Sequence, residues 1–569
     1  MNFNIIDIQP TQVTIELENE ACFRLEESVE VAVRKITASP DTEKAAVGSA
    51  INDHFRAEPP NTAAAAAPAD LKDGIKVVTD TNVITIDGLT QDTEYEIVVG
   101  SFVCEEQQPQ DDMEAISHKR IRTPRELVLL DVRDFGAAGD GVRFDTAAVQ
   151  AAIMACPADG TVYLKRGTYL CGPIFLKSDI RIWLDEGAMI LGSIDRADYP
   201  VLPGMTYTSD EKDEYNLGTW EGNPLSCHAS LITGIGVKNV SIYGRGTING
   251  NSPGADWWVN PKVKRDAWRP RLIFLNNCEK VTIQGVKVCN SPSWTIHPYY
   301  CDGVRIIDVK IQNPDNSPNT DGIDPESCKN VEIIGTKISV GDDCIAVKSG
   351  KIYMARRHFA RTENVVVRNC LLERGHGSVT MGSECAGGIR DVLVTKCIFD
   401  STDRGLRIKS RRGRGARSVI ENIVFDNIRM KDVRMPFTVN MFYFCDPDGH
   451  SDYCQCKDPL PVDEMTPKIR DITARNIRCE GVEVSLLAAY GLPEQKIESL
   501  TIENVTASYK PKEERRPEVP VMMDGLDPMS GVGIYARNVK KLILKDVSIS
   551  GIEDIESDTR DVDEVERDV

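Results

Sequence analysis

Along most of the chain, apolar residues recur at positions 0, 2, 5 and 7, with a turn-prone or polar residue at position 4. Val281-Ile283-Gly285-Val286-Val288 fits this spacing, as does Val304-Ile306-Asp308-Val309-Ile311. The spacing returns from Val331, Val365, Val392, Ile423, Ile472, Leu500 and Leu542, mostly at intervals of 23 to 34 residues. A period-two strand that kinks at a small or Asn residue and restarts on the same face is what a coiled β-ribbon requires. The interval matches one coil of a parallel β-helix, and each coil has an apolar face that only a stacked neighbour can cover. Strands alternating with helices are not seen here, which argues against a doubly wound or barrel α/β fold. Two stretches, 205–225 and 445–470, break the pattern and read as loops grafted on the solenoid's side.

Residues 1–125 have a different texture. Val13–Leu17, Val29–Val33 and Val83–Asp87 alternate as short half-buried strands. Leu89, a polar turn and Tyr95 six residues on resemble the tyrosine corner of a fibronectin type III sandwich. Between these strands, Ala57-Glu-Pro-Pro-Asn-Thr, five alanines and Pro68 read as a mobile low-complexity loop. From about residue 126 a Gly-rich loop, Asp134–Gly141, leads into a helix capped by Asp145 and then into the solenoid. The expected organisation is an all-β chain, with a small β-sandwich over 1–125 and a parallel β-helix over 126–550. The tail 551–569, with nine acidic and two basic residues, reads as frayed.

Charge narrows the function. The chain of 569 residues carries 67 basic against 87 acidic side chains, a net charge of −20, which argues against a general nucleic-acid binder. No apolar run reaches membrane-spanning length, so no membrane partner is expected. The first twenty residues show no secretory pattern, and the seventeen cysteines form no regular framework. Reduced thiols and a cytoplasmic location are the expectation.

Three consecutive coils and the next carry polar motifs at similar offsets: Asn319-Thr-Asp-Gly-Ile-Asp324, Gly341-Asp-Asp-Cys344, Gly375-His-Gly-Ser378 and Arg407-Ile-Lys409. Equivalent positions of stacked coils lie about 5 Å apart, so Asp321, Asp342, Asp343, His376, Arg407 and Lys409 are expected in one patch. Such motifs in isolation commonly bond only the local backbone; four in register point to a site. Clustered carboxylates resist full ionisation and keep a proton near neutral pH, which is the equipment of glycoside hydrolysis. Between Arg404 and Arg417 lie seven basic residues and no acid, and Arg407 with Lys409 suits a sugar carboxylate.

These four motifs, in this order on a β-helix, resemble the polygalacturonase family, glycoside hydrolase family 28, over roughly residues 128–550. The resemblance implies a right-handed, pectin-lyase-like solenoid that needs no metal or other cofactor. It implies Asp342 as general acid, Asp321 and Asp343 as holders of the attacking water, His376 as support for the acid, and Arg407 and Lys409 as carboxylate ligands. It also implies inversion of configuration, with acid and base far enough apart for a water. Asn319, His297, Glu384 and Tyr443 are further candidates for substrate contact, with His297 equally readable as a buried histidine. Met381-Gly-Ser-Glu384 and an N-terminal sandwich are similar to exo-acting bacterial members. Trp257, Trp258 and Trp268 suit either sugar stacking or packing. Cys445, His450, Cys454 and Cys456 lie within twelve residues, in a spacing that departs from standard zinc knuckles.

The leading expectation is exo-hydrolysis of α-1,4-galacturonosidic bonds in oligogalacturonides or pectin fragments. An endo-polygalacturonase, a rhamnogalacturonan-type hydrolase and a non-catalytic pectin-binding solenoid are the alternatives. A β-helix lyase is disfavoured, because the Asp-Asp and His pattern does not match it. Exposed solenoid ends leave room for a homo-oligomer.

Overall fold

The computed structural model describes residues 1–36, 74–101, 117–205, 214, 216–552 and 555–568. The low-complexity loop expected around Ala57–Pro68 and most of 206–215 lie outside the described residues. The chain divides into two compact units, one of residues 1–19 and 24–126, the other of residues 20–23 and 127–569.

The first unit is an antiparallel sandwich. Strands Asn2–Gln9, Gln12–Glu18 and Val83–Asp87 form one sheet, and Ile75–Thr81, Arg24–Lys35, Glu94–Ser101 and Ser117–Arg122 form the other. Alternation puts Val13, Ile15, Val31, Ile86, Ile97 and Val99 into a shared core. Tyr95 is buried, and its hydroxyl accepts the Thr90 N–H at 2.8 Å, which makes the corner anticipated from Leu89 and Tyr95.

The second unit is a right-handed parallel β-helix, and the repeat read from sequence is its register. Val281 pairs with Val304, and the same position runs through Val331, Val365, Val392, Ile423, Ile472, Leu500 and Leu542. The stack buries one continuous apolar column. At position 4 the backbone turns left-handed throughout: Gly285 at φ 74°, Asp308 at 50°, Asn369 at 52°, Asn427 at 53° and Asn504 at 50°. Gly, Asn and Asp tolerate that region best, which is why the fourth position looked turn-prone. Lys396 takes the same conformation at 54° without that tolerance.

The helix spans Thr146–Ala155, but Asp145 does not cap it with its side chain. Its carboxylate accepts the Ala138 and Gly139 N–H groups at 2.6 and 2.9 Å, closing the Gly-rich loop. The acidic tail corrects the expectation of fraying. Ile555–Asp558 and Val562–Arg567 add a further parallel coil. Its carboxylates meet cations of the preceding coil: Asp558 meets Arg537 at 2.6 Å, and Glu566 meets Lys541 at 2.5 Å. Among the described residues no helix is long and apolar enough to cross a membrane.

Candidate active site

Backbone hydrogen bonds between coils place the four motifs side by side. The N–H of Thr295 reaches the carbonyl of Asp321, that of Gly322 reaches Asp343, that of Cys344 reaches Gly377, and that of Ser378 reaches Arg404, all at 2.8 to 3.0 Å. Strand Arg404–Lys409 then aims Arg407 and Lys409 toward the same patch. Glycine is required within the Gly-His-Gly motif: a Cβ on Gly377 would stand 2.7 Å from the Asp343 carboxylate, and one on Gly375, at φ 119°, 2.5 Å from the Asp342 carbonyl.

Asp321, Asp342 and Asp343 each offer a carboxylate oxygen, all within 4.8 Å of one another. Their surroundings differentiate them. Asp343 is fully buried and accepts hydrogen bonds from Arg407 Nη1 at 2.9 Å and Lys409 Nζ at 2.7 Å. Burial alone would raise its pKa, but the charges of Lys409 and Arg407 outweigh it and hold the carboxyl well below the usual range. Asp342 stands 3.3 Å from His376 Nδ1. Burial is again outweighed, here by the His376 contact, and Asp342 is held below its usual value, while the same contact raises the His376 pKa. Among the described residues no cation comes as close to Asp321, whose nearest is Lys348 Nζ at 3.8 Å. Burial and the neighbouring Asp342 charge push it up to about 7, against the pull of Lys348. The triad as a whole therefore retains a proton near neutral pH.

Beneath the triad lies a buried charge network. Lys348 Nζ is 3.1 Å from Glu384, 3.6 Å from Asp324 and 3.8 Å from Asp321, and sits 4.3 Å above the Trp294 ring. Burial would raise Glu384, yet Lys348, Lys351 and Arg414 bring it down to about 2. The neighbouring Glu326 is pushed up to about 8 by burial and by the Glu384 charge.

The cleft is lined by Glu221, Lys262, Trp294, Asn319, Asp321, Asp342, Asp343, Lys348, Ser383, Glu384, Lys409, Tyr443, Cys445 and Asp446. Sequence reasoning thus brought together the triad, Asn319, Glu384, Lys409 and Tyr443, with Arg407 and His376 in contact through the aspartates. The Asn319 side chain is held by Arg269 Nη2 at 2.7 Å rather than turned onto Asp321. His297 is a correction: it is fully buried, with Nδ1 accepting from Arg271 at 3.3 Å and Nε2 against Glu326 at 3.0 Å, so it packs under the cleft instead of lining it. Most of the basic run 404–417 also points elsewhere. Arg404 meets Glu518, Arg411 and Arg414 meet Asp446, and Arg412 meets Glu494, so the opposing carboxylates come from other coils and loops.

The Cys445–Cys456 loop is braced by those arginines rather than assembled as a zinc knuckle. Cys454 contacts Arg411, His450 bonds Asp524 at 2.9 Å, and Cys445 lies exposed at the cleft. Among the described residues the triad is the one cluster with metal-ligand geometry, and fixed cations already face its charges.

Residues 187–523 match the glycosyl hydrolases family 28. The chain belongs to this family. A Vitis vinifera relative named "Probable polygalacturonase" is 31% identical over 409 residues, 70% of this chain and 78% of that protein. An endo-polygalacturonase of Pectobacterium carotovorum subsp. carotovorum is 32% identical over 52% of this chain and 72% of its own length. The family 28 exopolygalacturonase of Yersinia enterocolitica shares the fold at a TM-score of 0.68, with 19% identity over 100% of this chain and 98% of that one. In this family 28 glycosyl hydrolase the residues missed from sequence are Lys348, Glu326, Trp294, Glu221, Lys262 and Asp446. Lys348 and Trp294 sit beside recognised motifs, at coil positions equivalent to ones already singled out. Glu221 and Lys262 come from irregular loops with no such signal.

Proposed function

We propose that this glycoside hydrolase cleaves α-1,4-galacturonosidic bonds in oligogalacturonides and pectin fragments, from a chain end and with inversion. The observation that carries the reading is a carboxylate triad at the cleft with the Arg407–Lys409 pair bonded directly to one of its members, Asp343. Two cations share the single charge of Asp343, so one positive charge is left over for a uronate carboxylate. Asp342 is the general acid that protonates the leaving glycosidic oxygen, and Asp321 with Asp343 holds the attacking water and takes up its proton. In the free site the triad retains one proton. A uronate carboxylate on Arg407 and Lys409 adds negative charge beside Asp342, which draws the proton toward the acid.

The triad is tighter than the roughly 6.5–9.5 Å carboxyl separation usual for inverting enzymes. In this reading the water is held between two carboxylates instead of opposite one. Proton NMR of the newly released reducing end tests this directly: the β-anomer appears first under inversion, and the α-anomer appearing first would overturn it.

End-on attack is supported by the segment around Glu221 at the cleft rim. The Lys351 N–H holds the Gly222 carbonyl at 2.9 Å, and Gly222 packs against Glu384. Glu384, ionised and buried at that wall, is placed to accept a hydrogen bond from a terminal sugar hydroxyl. We read the N-terminal sandwich as a fibronectin type III-like module, on its strand order and the Tyr95 corner. The sixteen described cysteines are free thiols, which fits action on short fragments in a reducing cytoplasm.

A further inference from the structure

Three lysines line the cleft among the described residues: Lys262, Lys348 and Lys409. Lys348 is enclosed by three buried carboxylates, and Lys409 is buried and belongs with Arg407 to the position beside Asp343 already described. Lys262 differs. Among the described residues its one carboxylate partner is Glu221, at 3.5 Å, and the two side chains are 63% and 31% exposed. A pair that open to water is weak and exchangeable, so its ammonium group can change partner without leaving a buried charge behind.

The loop that carries Lys262 is nevertheless held firmly at both ends. Trp257 is fully buried against Tyr199 and under the Arg196 guanidinium at 4.1 Å, and Trp258 Nε1 donates to the Ser291 carbonyl at 3.2 Å. At the other end Trp268 stacks on Trp220 at 4.7 Å. The tryptophans thus serve as loop anchors, and what the loop presents to the cleft is Lys262. Its partner Glu221 sits on the same segment as Trp220, so the one stack fixes both halves of the pair.

We infer that Lys262 is a second uronate-carboxylate position, occupied by Glu221 in the free enzyme and taken over by a galacturonate carboxylate when substrate binds. The inference rests on the proposed activity toward galacturonate oligomers and adds to it a charge-recognition point separate from Arg407 and Lys409. Glu221 acts as an internal competitor, filling the position with the same functional group that the substrate brings. That arrangement selects for acidic sugars twice along one short oligomer and rejects neutral ones, whose hydroxyls cannot displace a carboxylate from an ammonium ion.

Steady-state kinetics on trigalacturonate tests it with three variants. Lys262→Met is expected to raise KM about tenfold, with the loss in KM rather than kcat, and Lys262→Arg to restore most of it. Glu221→Gln, which removes the competitor, is expected to lower KM about threefold. Competition supplies a second readout: galacturonate should inhibit Lys262→Met about tenfold more weakly than wild type, while weak inhibition by galactose stays the same in both. Equal KM values and equal galacturonate inhibition in wild type and Lys262→Met would overturn the assignment and leave the hydrolase reading standing. A wild-type enzyme that cuts no galacturonate oligomer would instead overturn the reading on which the assignment rests.

Discussion

Lys348→Met probes the electrostatics of the triad without touching its carboxylates. The ammonium group lies 3.8 Å from Asp321 and is almost fully buried. At an effective dielectric of about 20, two unit charges at that distance interact by roughly 4 kcal/mol, which at about 1.4 kcal/mol per pKa unit sets an upper bound of roughly 3 units. Relaxation and water filling the vacated space reduce this to an expected shift of about 1 to 2 units. The retained proton leaves the wild-type triad at about 7, and catalysis requires that proton, so kcat/KM should fall on the alkaline side with a midpoint near 7. Removing a nearby cation makes the proton harder to lose, so the alkaline limb of Lys348→Met moves to higher pH. The His376 pKa is also raised above its ordinary value, by its contact with Asp342, and the variant separates the two groups. If His376 sets the limb, Lys348→Met leaves it in place. The assay is the full pH profile of kcat/KM on trigalacturonate, with melting temperatures confirming that the variant is folded at each pH. An alkaline limb that superimposes on wild type, or moves down, refutes the reasoning.

Asp342→Asn should lower kcat by about 10²–10⁴-fold, the usual contribution of general acid catalysis, with little change in KM; steady-state kinetics would falsify the acid assignment if kcat stayed within tenfold. Glu326 keeps its proton up to about 8 in the folded chain, against an ordinary carboxyl value near 4.3 when unfolded. The stability this gives is fully present below the unfolded value and is lost as pH rises through about 8. Thermal melts of Glu326→Gln should therefore decline less between pH 5 and 8 than those of wild type, and parallel curves would count against the buried neutral acid. Arg412 is 1% exposed and makes a two-pronged pair with Glu494 at 2.6 and 2.8 Å. Arg412→Met strands that carboxylate at a cost of roughly 3–5 kcal/mol, seen as a melting temperature lower by several degrees with kcat per folded molecule preserved.

The fold was legible because its rule is local. Each coil repeats one strand, one left-handed turn residue and a restart, and Val281 to Leu542 fall into register on that rule alone. The triad was legible for a related reason: stacking converts similar sequence offsets into spatial neighbours, so Asp321, Asp343 and Gly377 meet through successive backbone bonds. What resisted reading depends on partners far away in sequence. The basic run 404–417 looked like one cationic surface, but Glu518, Asp446 and Glu494 arrive from elsewhere and neutralise most of it. The acidic tail looked unable to order itself until Lys541 and Arg537 of the preceding coil met it. His297 lies one coil before the Asn319–Asp324 motif, yet only burial against Arg271 and Glu326 decides that it faces inward. Glu221 and Lys262 face each other across loops without a repeat, and sequence spacing carries no signal for such a pair.

Incubating the purified protein with hexagalacturonate labelled at its reducing end, and following product masses against time without added metal, tests exo-hydrolysis of galacturonate. A single short unlabelled product is expected from the earliest time points, either monomer or dimer, with the labelled chain shortening by that unit. A ladder of intermediate unlabelled lengths at early times would contradict end-on attack, and an intact hexamer after prolonged incubation would contradict galacturonate hydrolysis itself.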